Sequence, residues 1–385
     1  MKLLYLSNYF NHHQKPLAEA LYGLLGDEYY FVETENVPEF RKQLGYKEMT
    51  APYVVKYNDD TKNDLDEKIF EADVVVYGEA PLSLIKRRLA AKRLTIKDDE
   101  CRYRSISRFL KWPIYTYNSL FLNKGYLLCA SAYGPIDYLL SGMNPRRCFR
   151  WGYFPEVKKY KNWESLVEIK KSKKTRVRIL WCGRLIKLKH PESFVYIAEH
   201  LKRDGYDFDL HVIGTGKLEQ KMKSRIKEMS LEDCVFFHGS IQSEEVRTYM
   251  EQSDIFLFTS DRNEGWGAVL NESMNSGCAV VAGNNIGSVP YLIQNGINGY
   301  IFKDCNWRDL YDKVKSLLDR PEQILKLGEQ AYLTMLETWN GDMAARNLVS
   351  LCESLQKGVL PKIDKGPCSH TPLLMRRWRG IIKVL

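Results

Sequence analysis

Apolar runs of strand length alternate with amphipathic segments of helix length along this whole chain, and no other feature constrains its fold as strongly. A strand written as a continuous apolar run is covered on both faces, and the intervening helices supply that cover. The pattern therefore specifies parallel βαβ units and not a sandwich or a bundle. In the first half, strands are expected at residues 2–6, 29–32, 73–77 and 126–130, with a helix from about Gln14 that holds Pro16 in its first turn and stops at Gly26. In the second half they are expected at 177–183, 209–214, 235–239, 254–260, 279–282 and 299–302. There Pro191 opens one helix and Ser243-Glu244-Glu245 caps another. Six strands in this rhythm make a complete Rossmann-like unit, whose ligands bind beyond the carboxyl ends of the strands.

A chain of 385 residues is long enough for two such cores. The polar, lysine-rich stretch 163–174 falls between them and reads as a linker. The expected organisation is an N-terminal domain over 1–155, a linker over 156–175, a second domain over 176–340, and a final helix with a basic tail over 341–385. No run approaches the ~18 apolar residues that a spanning helix needs. Met1-Lys2-Leu3-Leu4-Tyr5-Leu6 runs at once into polar residues, so it reads as a buried strand and not a signal peptide. The nine cysteines are scattered without a CxxC pair, which indicates neither a disulfide framework nor a zinc site and fits a reducing cytoplasm. The net charge of +9 is concentrated in 84–111, 146–178 and 357–385. Clusters of this kind fit phosphates, nucleic acid or a lipid surface, although solvated lysines explain 158–174 equally well.

Four loops of the second half carry residues suited to a nucleotide diphosphate joined to a sugar. After the first strand, Gly183-Arg184-Leu185-Ile186-Lys187-Leu188-Lys189 places cations where a pyrophosphate needs neutralising. After the second, Gly214 and Gly216 lack side chains and allow close backbone approach. The third strand ends in His238-Gly239. The fourth loop holds Glu264-Gly265-Trp266-Gly267 and runs into a helix through Ala268 and Val269, with Glu272 one turn further on. A carboxylate in the loop suits sugar hydroxyls, one on the helix suits a ribose, and the glycines leave backbone N–H groups free for a diphosphate.

The segment from Glu264 to Met274, continued by Ser276-Gly277-Cys278-Ala279-Val280-Val281-Ala282, resembles the Glu-x(7)-Glu signature of retaining glycosyltransferase family 4. Gly183-Arg184-Leu185 with Lys189 resembles that family's diphosphate-binding pair, and Gly296-Ile297-Asn298-Gly299 follows in the expected order. The resemblance is strong over 177–303 and fainter over 1–155, where residues 8–14 look like a subgroup's first-strand loop. Ala279 stands where the family often has proline, and Tyr291 where it often has glutamate. The resemblance implies a GT-B fold: two facing Rossmann-like α/β domains with parallel sheets, and a C-terminal crossover helix. It also implies transfer of a sugar, with retention, from a nucleotide diphosphate sugar to a hydroxyl of a saccharide or lipid-linked acceptor. Arg184 and Lys189 would stabilise the departing diphosphate, Glu264 would position the sugar and Glu272 the ribose. Gly183, Gly214, Gly216, His238, Gly239, Gly265, Trp266, Gly267, Ala268 and Val269 would line the donor site.

Asn11, His12 and His13 follow the first strand and are the candidates for acceptor contact. Asp207-Phe208-Asp209 and Asp64-Leu65-Asp66 spell Asp-x-Asp, a metal-binding pattern elsewhere, but the first introduces a strand at its amino end and the second lies in a polar helix. Both read as structural, so no metal and no other cofactor is expected. Residues 84–94 and the tail around Arg376-Arg377-Trp378-Arg379 have the basic amphipathic character of segments that lie on anionic membranes, which would suit a lipid-linked acceptor at the inner face. A nucleotide-sugar epimerase on the same fold and a non-catalytic anion- or nucleic-acid-binding protein are the competing readings. Nucleic-acid binding has no use for the two glutamates and is disfavoured.

Overall fold

The computed structural model describes residues 1–42, 47–100, 125–140, 142–172, 175–303 and 305–374. Two units are defined by internal contacts, one formed by Met1–Glu156 with Thr338–Leu385 and the other by Val157–Glu337.

In the first unit the strands are β1 (Leu3–Ser7), β2 (Tyr29–Glu33), β3 (Val54–Lys56), β4 (Val74–Tyr77), β5 (Thr95–Asp99), β6 (Tyr126–Cys129) and β7 (Cys148–Arg150). They form one parallel sheet in the order β3-β2-β1-β4-β5-β6-β7. β1 is central and buried along its full length, as its apolar run requires. Three of these strands escape the apolar-run criterion. β5 is the instructive one, because Lys97, Asp98 and Asp99 make it look like loop. Tyr5 donates its hydroxyl to Asp98 and Tyr138 donates to Asp99, so the carboxylates are accommodated inside. Burial pushes the Asp98 carboxyl up to about 6. The helix Gly341–Gln356 lies on the helix Lys15–Leu25 so closely that a Cβ on Gly341 would come within 2.7 Å of the Pro16 backbone.

The basic face expected over 84–94 is narrower than its composition suggests. Arg88, on the helix Ser83–Ala90, is fully buried and donates to the carbonyls of Ile69, Phe70, Ala72 and Leu94. It thereby satisfies acceptors at the end of the helix Lys62–Glu71, which would otherwise be orphaned. Arg87 pairs with Glu67 and stacks on Phe70, and Arg93 stacks on the same ring. Three of the five cations of this segment are thus engaged within the unit. The tail over 376–383 lies outside the described residues. No helix among the described residues is long and apolar enough to cross a membrane.

The second unit holds β8 (Val177–Cys182), β9 (Phe208–Ile213), β10 (Val235–Gly239), β11 (Ile255–Phe258), β12 (Ala279–Gly283) and β13 (Tyr300–Phe302), again all parallel, in the order β10-β9-β8-β11-β12-β13. All six expected strands are present. The strand order reverses at β8, which has β9 on one side and β11 on the other, so the loops after β8 and β11 border the topological switch point. Residues 163–171, read from their lysines as linker, form the helix Trp163–Lys171 of this unit. Asn162 caps it by accepting from Ser165 N at 2.9 Å, Leu166 is buried, and Lys170 turns inward to donate to Ser253 O at 2.6 Å. A lysine that finds a carbonyl is compatible with burial, and composition alone does not reveal it. Ser243 is the first residue of the helix Ser243–Gln252 and not its cap; Gln242 precedes it without a side-chain capping bond. Asp207 and Asp209, at the amino end of β9, both engage Arg176.

Candidate active site

Three loop ends meet at the carboxyl side of β8, β9 and β10, and backbone hydrogen bonds fasten them. Gly183 N donates to Ile213 O at 2.9 Å, Leu185 N to Thr215 O at 2.8 Å, and Gly214 N to Gly239 O at 2.7 Å. This explains the glycines differently from the expectation. Gly214 has φ +125° and a Cβ there would lie 2.0 Å from Gly183 O, while a Cβ on Gly216 would lie 2.6 Å from Leu185 O. What approaches these glycines is the protein's own backbone, in loop 183–185. Arg184 is exposed at the head of that loop, between buried or half-buried neighbours.

The loops after β8 and β11 are joined side chain to side chain. Lys189 Nζ forms an ion pair with the Glu264 carboxylate, both side chains only 15% exposed. Thr259 Oγ1 donates to Lys189 O at 2.8 Å and accepts from Trp181 Nε1 at 2.9 Å, and Asp261 N donates to Leu188 O at 3.0 Å. Two predicted residues separated by 75 positions are thus brought into direct contact. Gly267, at φ +80°, is required by Phe258, whose ring a Cβ would meet at 2.5 Å.

Glu272 sits one turn into the helix Val269–Asn275, which Ala268 precedes as N-cap. Desolvation pushes its carboxyl up to about 7, and Arg247 pulls the value back. Arg247 donates to Glu272 O at 3.4 Å and to Asn275 Oδ1, so it grips the backbone of this helix. Cys182, at the end of β8, has its thiol pushed up to about 12 by burial first and by Glu272 second, with Lys189 opposing. Lys189, Glu264, Glu272 and Cys182 therefore form one electrostatic neighbourhood beside the switch point.

Other predicted contacts are placed differently. The Trp266 ring is buried and donates to Asn271 Oδ1 at 2.9 Å, with Tyr291 beside it, so the indole belongs to the core beneath the loop. Gly265 is buried as well. His238 shares a hydrogen bond with His211 at 2.7 Å and another with the Tyr249 hydroxyl at 3.0 Å. Burial lowers both imidazole pKa values, that of His211 to about 4, which keeps the pair neutral at neutral pH.

In the first unit, Asn11 shapes the turn beyond β1. Its carbonyl accepts from Gln14 N and Lys15 N, and its Oδ1 accepts from His13 N at 3.0 Å. That turn exposes His12 and leaves His13 half-buried, their rings 4.0 Å apart. Desolvation, then His12 and Arg41, lower His13 to about 3, so it is neutral. The Tyr153 ring lies 6.1 Å from His13, and its hydroxyl donates to Glu100 Oε1 at 2.5 Å.

His190, Asp261 and Arg247 were not anticipated. His190 follows Lys189 directly, and the His-x-Glu run to Glu192 was a signal available in the sequence. Among the described residues no cluster of three or more His, Cys, Asp or Glu suited to holding a metal occurs.

The class defined by these observations is a two-unit, parallel-sheet α/β protein of GT-B type with its polar loops at the switch point of the second sheet. The crystal structure of Anabaena HepE in complex with UDP has this fold, with a TM-score of 0.68 at 13% identity, covering 93% of this chain and 100% of that one. Residues 164–334, which span most of the second unit, match the family model described as Glycosyl transferases group 1. Among curated relatives, the amylovoran biosynthesis glycosyltransferase AmsK of Erwinia amylovora is 29% identical over 184 residues, 46% of this chain and 45% of the relative. The putative colanic acid biosynthesis glycosyltransferase WcaL of Escherichia coli is 27% identical over 192 residues, 48% and 47% of the two chains. The chain thus spans about half the length of the curated relatives it matches.

Proposed function

We propose that this protein is a glycosyltransferase that moves a sugar from a nucleotide diphosphate sugar to a hydroxyl of a saccharide or lipid-linked acceptor, with retention of configuration, during assembly of a polysaccharide or glycoconjugate. The observation that carries the reading is the Lys189–Glu264 pair at the switch point of the second sheet, with Arg184 exposed on the same loop. A cation beside a carboxylate suits a donor in which a diphosphate meets a hydroxylated sugar. The named activities of AmsK and WcaL, and the UDP bound by HepE, support the choice of donor and pathway.

Arg184 and Lys189 neutralise the charge that develops on the departing diphosphate, the main electrostatic demand of the transition state. Glu264 accepts from hydroxyls of the transferred sugar and Glu272 from the ribose. Asn11, His12 and His13 are the proposed acceptor contacts. No metal takes part in this scheme, because the two cations supply the positive charge. Contact with an anionic membrane would draw on the exposed Lys86 and Lys92 and on the basic residues over 376–383, since Arg88 is buried and Arg87 and Arg93 are engaged within the first unit.

The test is a panel of nucleotide sugars, scored by release of nucleoside diphosphate and by the anomeric configuration of the product, with and without excess chelator. Release that persists in chelator, with a retained anomer, supports the proposal. Inversion refutes retention, and loss of activity in chelator with rescue by Mg or Mn refutes the metal-free scheme.

A further inference from the structure

Immediately after Lys189 the backbone does something unusual. His190 adopts a left-handed conformation, with φ 49° and ψ 58°, closing the short 3-10 turn Lys187–Lys189. A residue with a Cβ pays for that conformation, and such strain persists only where the surroundings enforce it. Here the enforcement is visible. Nδ1 lies 2.7 Å from Glu192 Oε1, on the first residue of the helix Glu192–Arg203, and Nε2 lies 3.4 Å from Asp261 Oδ2, on the loop that leads to Glu264. Cys305 Sγ is 4.0 Å from Nε2 and the Trp307 ring 5.6 Å from the imidazole.

We propose that His190 is a positioning residue whose imidazole pins the loop after β8 to the loop after β11, so that Lys189 and Glu264 are held against each other ready for a nucleotide diphosphate. This inference rests on the donor-site reading given above. Both ring nitrogens face carboxylates, so each carries a proton and donates. Hydrogen bonding to Asp261 first, then the Cys305 and Glu192 contacts, pushes the imidazole up to about 12, against the effect of burial. The pin is therefore charged throughout the physiological range. Its two anchors lie on different elements. The Glu192 bond fixes the ring relative to the start of the helix that follows. The Asp261 bond runs parallel to the backbone bond from Asp261 N to Leu188 O at 3.0 Å, which ties the same two loops. Lys189 is thus held on its carbonyl side by Thr259, on its C-terminal side by His190 and at its ammonium by Glu264. The loop backbone on either side of Lys189 loses much of its freedom in this arrangement, which lowers the cost of ordering it around a diphosphate.

The deciding experiment uses His190→Gly and His190→Asn in the full chain. Glycine adopts the left-handed backbone without strain and asparagine tolerates it, so neither substitution penalises the turn, yet neither side chain can span Glu192 and Asp261. The probe is whichever of UDP, GDP or ADP the wild type binds by calorimetry. Both variants are expected to bind it about tenfold more weakly or worse, while the Tm of His190→Gly stays equal or rises. Lys189→Ala should show a comparable loss, and combining it with His190→Gly should add little, because the histidine acts through the lysine. Imidazole added to the buffer should restore binding to His190→Gly but not to Lys189→Ala. The inference is overturned if His190→Gly and His190→Asn bind as the wild type while Lys189→Ala does not, or if the two losses add in full. It is also overturned if the loss in His190→Gly accompanies a fall in Tm and resists imidazole. If Lys189→Ala itself binds as the wild type, the donor-site reading has failed, and the inference with it.

Discussion

Lys189 and Glu264 form an ion pair across the switch point of the second sheet. An incoming diphosphate therefore competes with the glutamate for the ammonium. Glu264→Gln should abolish most turnover, by a factor on the order of a hundred, because the sugar loses its charged acceptor. The same change should leave affinity for the bare nucleoside diphosphate unchanged or improved, since Lys189 is released. Calorimetry and initial rates on one preparation separate the two effects. Parallel loss of affinity and turnover would show that Glu264 merely supports the loop.

The carbonyl of Gly183 leaves no room for a side chain on Gly214, where a Cβ would lie at 2.0 Å. Gly214→Ala should cost roughly 2–4 kcal/mol, combining overpacking with an unfavourable φ. Gly239→Ala is the control, with φ +68° but nothing within 4 Å of the new methyl, and should cost about 1 kcal/mol. Urea denaturation of the two variants checks the difference, and equal costs would mean that loop 183–185 yields easily.

Arg88 and Arg87 are adjacent in sequence and opposite in role. Arg88→Gln leaves buried carbonyls of Ile69, Phe70, Ala72 and Leu94 short of a donor and should destabilise by about 3 kcal/mol. Arg87→Gln, at an exposed pair with Glu67, should stay within about 1 kcal/mol. Thermal melts decide. A neutral Arg88 variant that loses binding to anionic vesicles would restore the membrane reading for this helix.

Glu272 gives the site a pH dependence whose sign follows from its raised value. Its carboxyl titrates near 7 in the folded chain against an ordinary 4.5, so the folded state holds the proton more tightly than the unfolded state. The contribution to stability is intact below about pH 4.5 and is lost as the pH climbs through 7. Glu272→Gln should therefore match the wild type near pH 4.5 and be more stable at pH 8, by an amount on the order of 1–3 kcal/mol. Binding of a ribonucleotide by the ionised carboxylate should strengthen across the same rise. A stability difference that does not change with pH would show the carboxyl to be solvated.

The sequence by itself determined whatever depends on neighbours along the chain. Apolar runs bounded by turn residues gave all six strands of the second sheet, and Pro16 and Gly26 bounded the helix Lys15–Leu25, because burial on both faces and backbone stereochemistry act locally. Glu264, Glu272, Arg184 and Lys189 stand out as candidates in the sequence because each lies in a loop or first turn at the end of a strand, where the βαβ pattern puts ligands. Only the tertiary structure decided how those residues meet. Lys189 and Glu264 touch because β8 and β11 are neighbours across the switch point, although 75 positions separate the two residues. The same sheet order gives His190 its second carboxylate. Polar residues were misread wherever the fold supplies a distant partner. Arg88 and Lys170 looked like surface and are buried on carbonyls, and Asp98, in a segment that no expected strand covered, lies in β5 beneath the Tyr5 hydroxyl. Charge predicts exposure only while water is the best available partner, and a sequence does not state which carbonyl or hydroxyl will take its place.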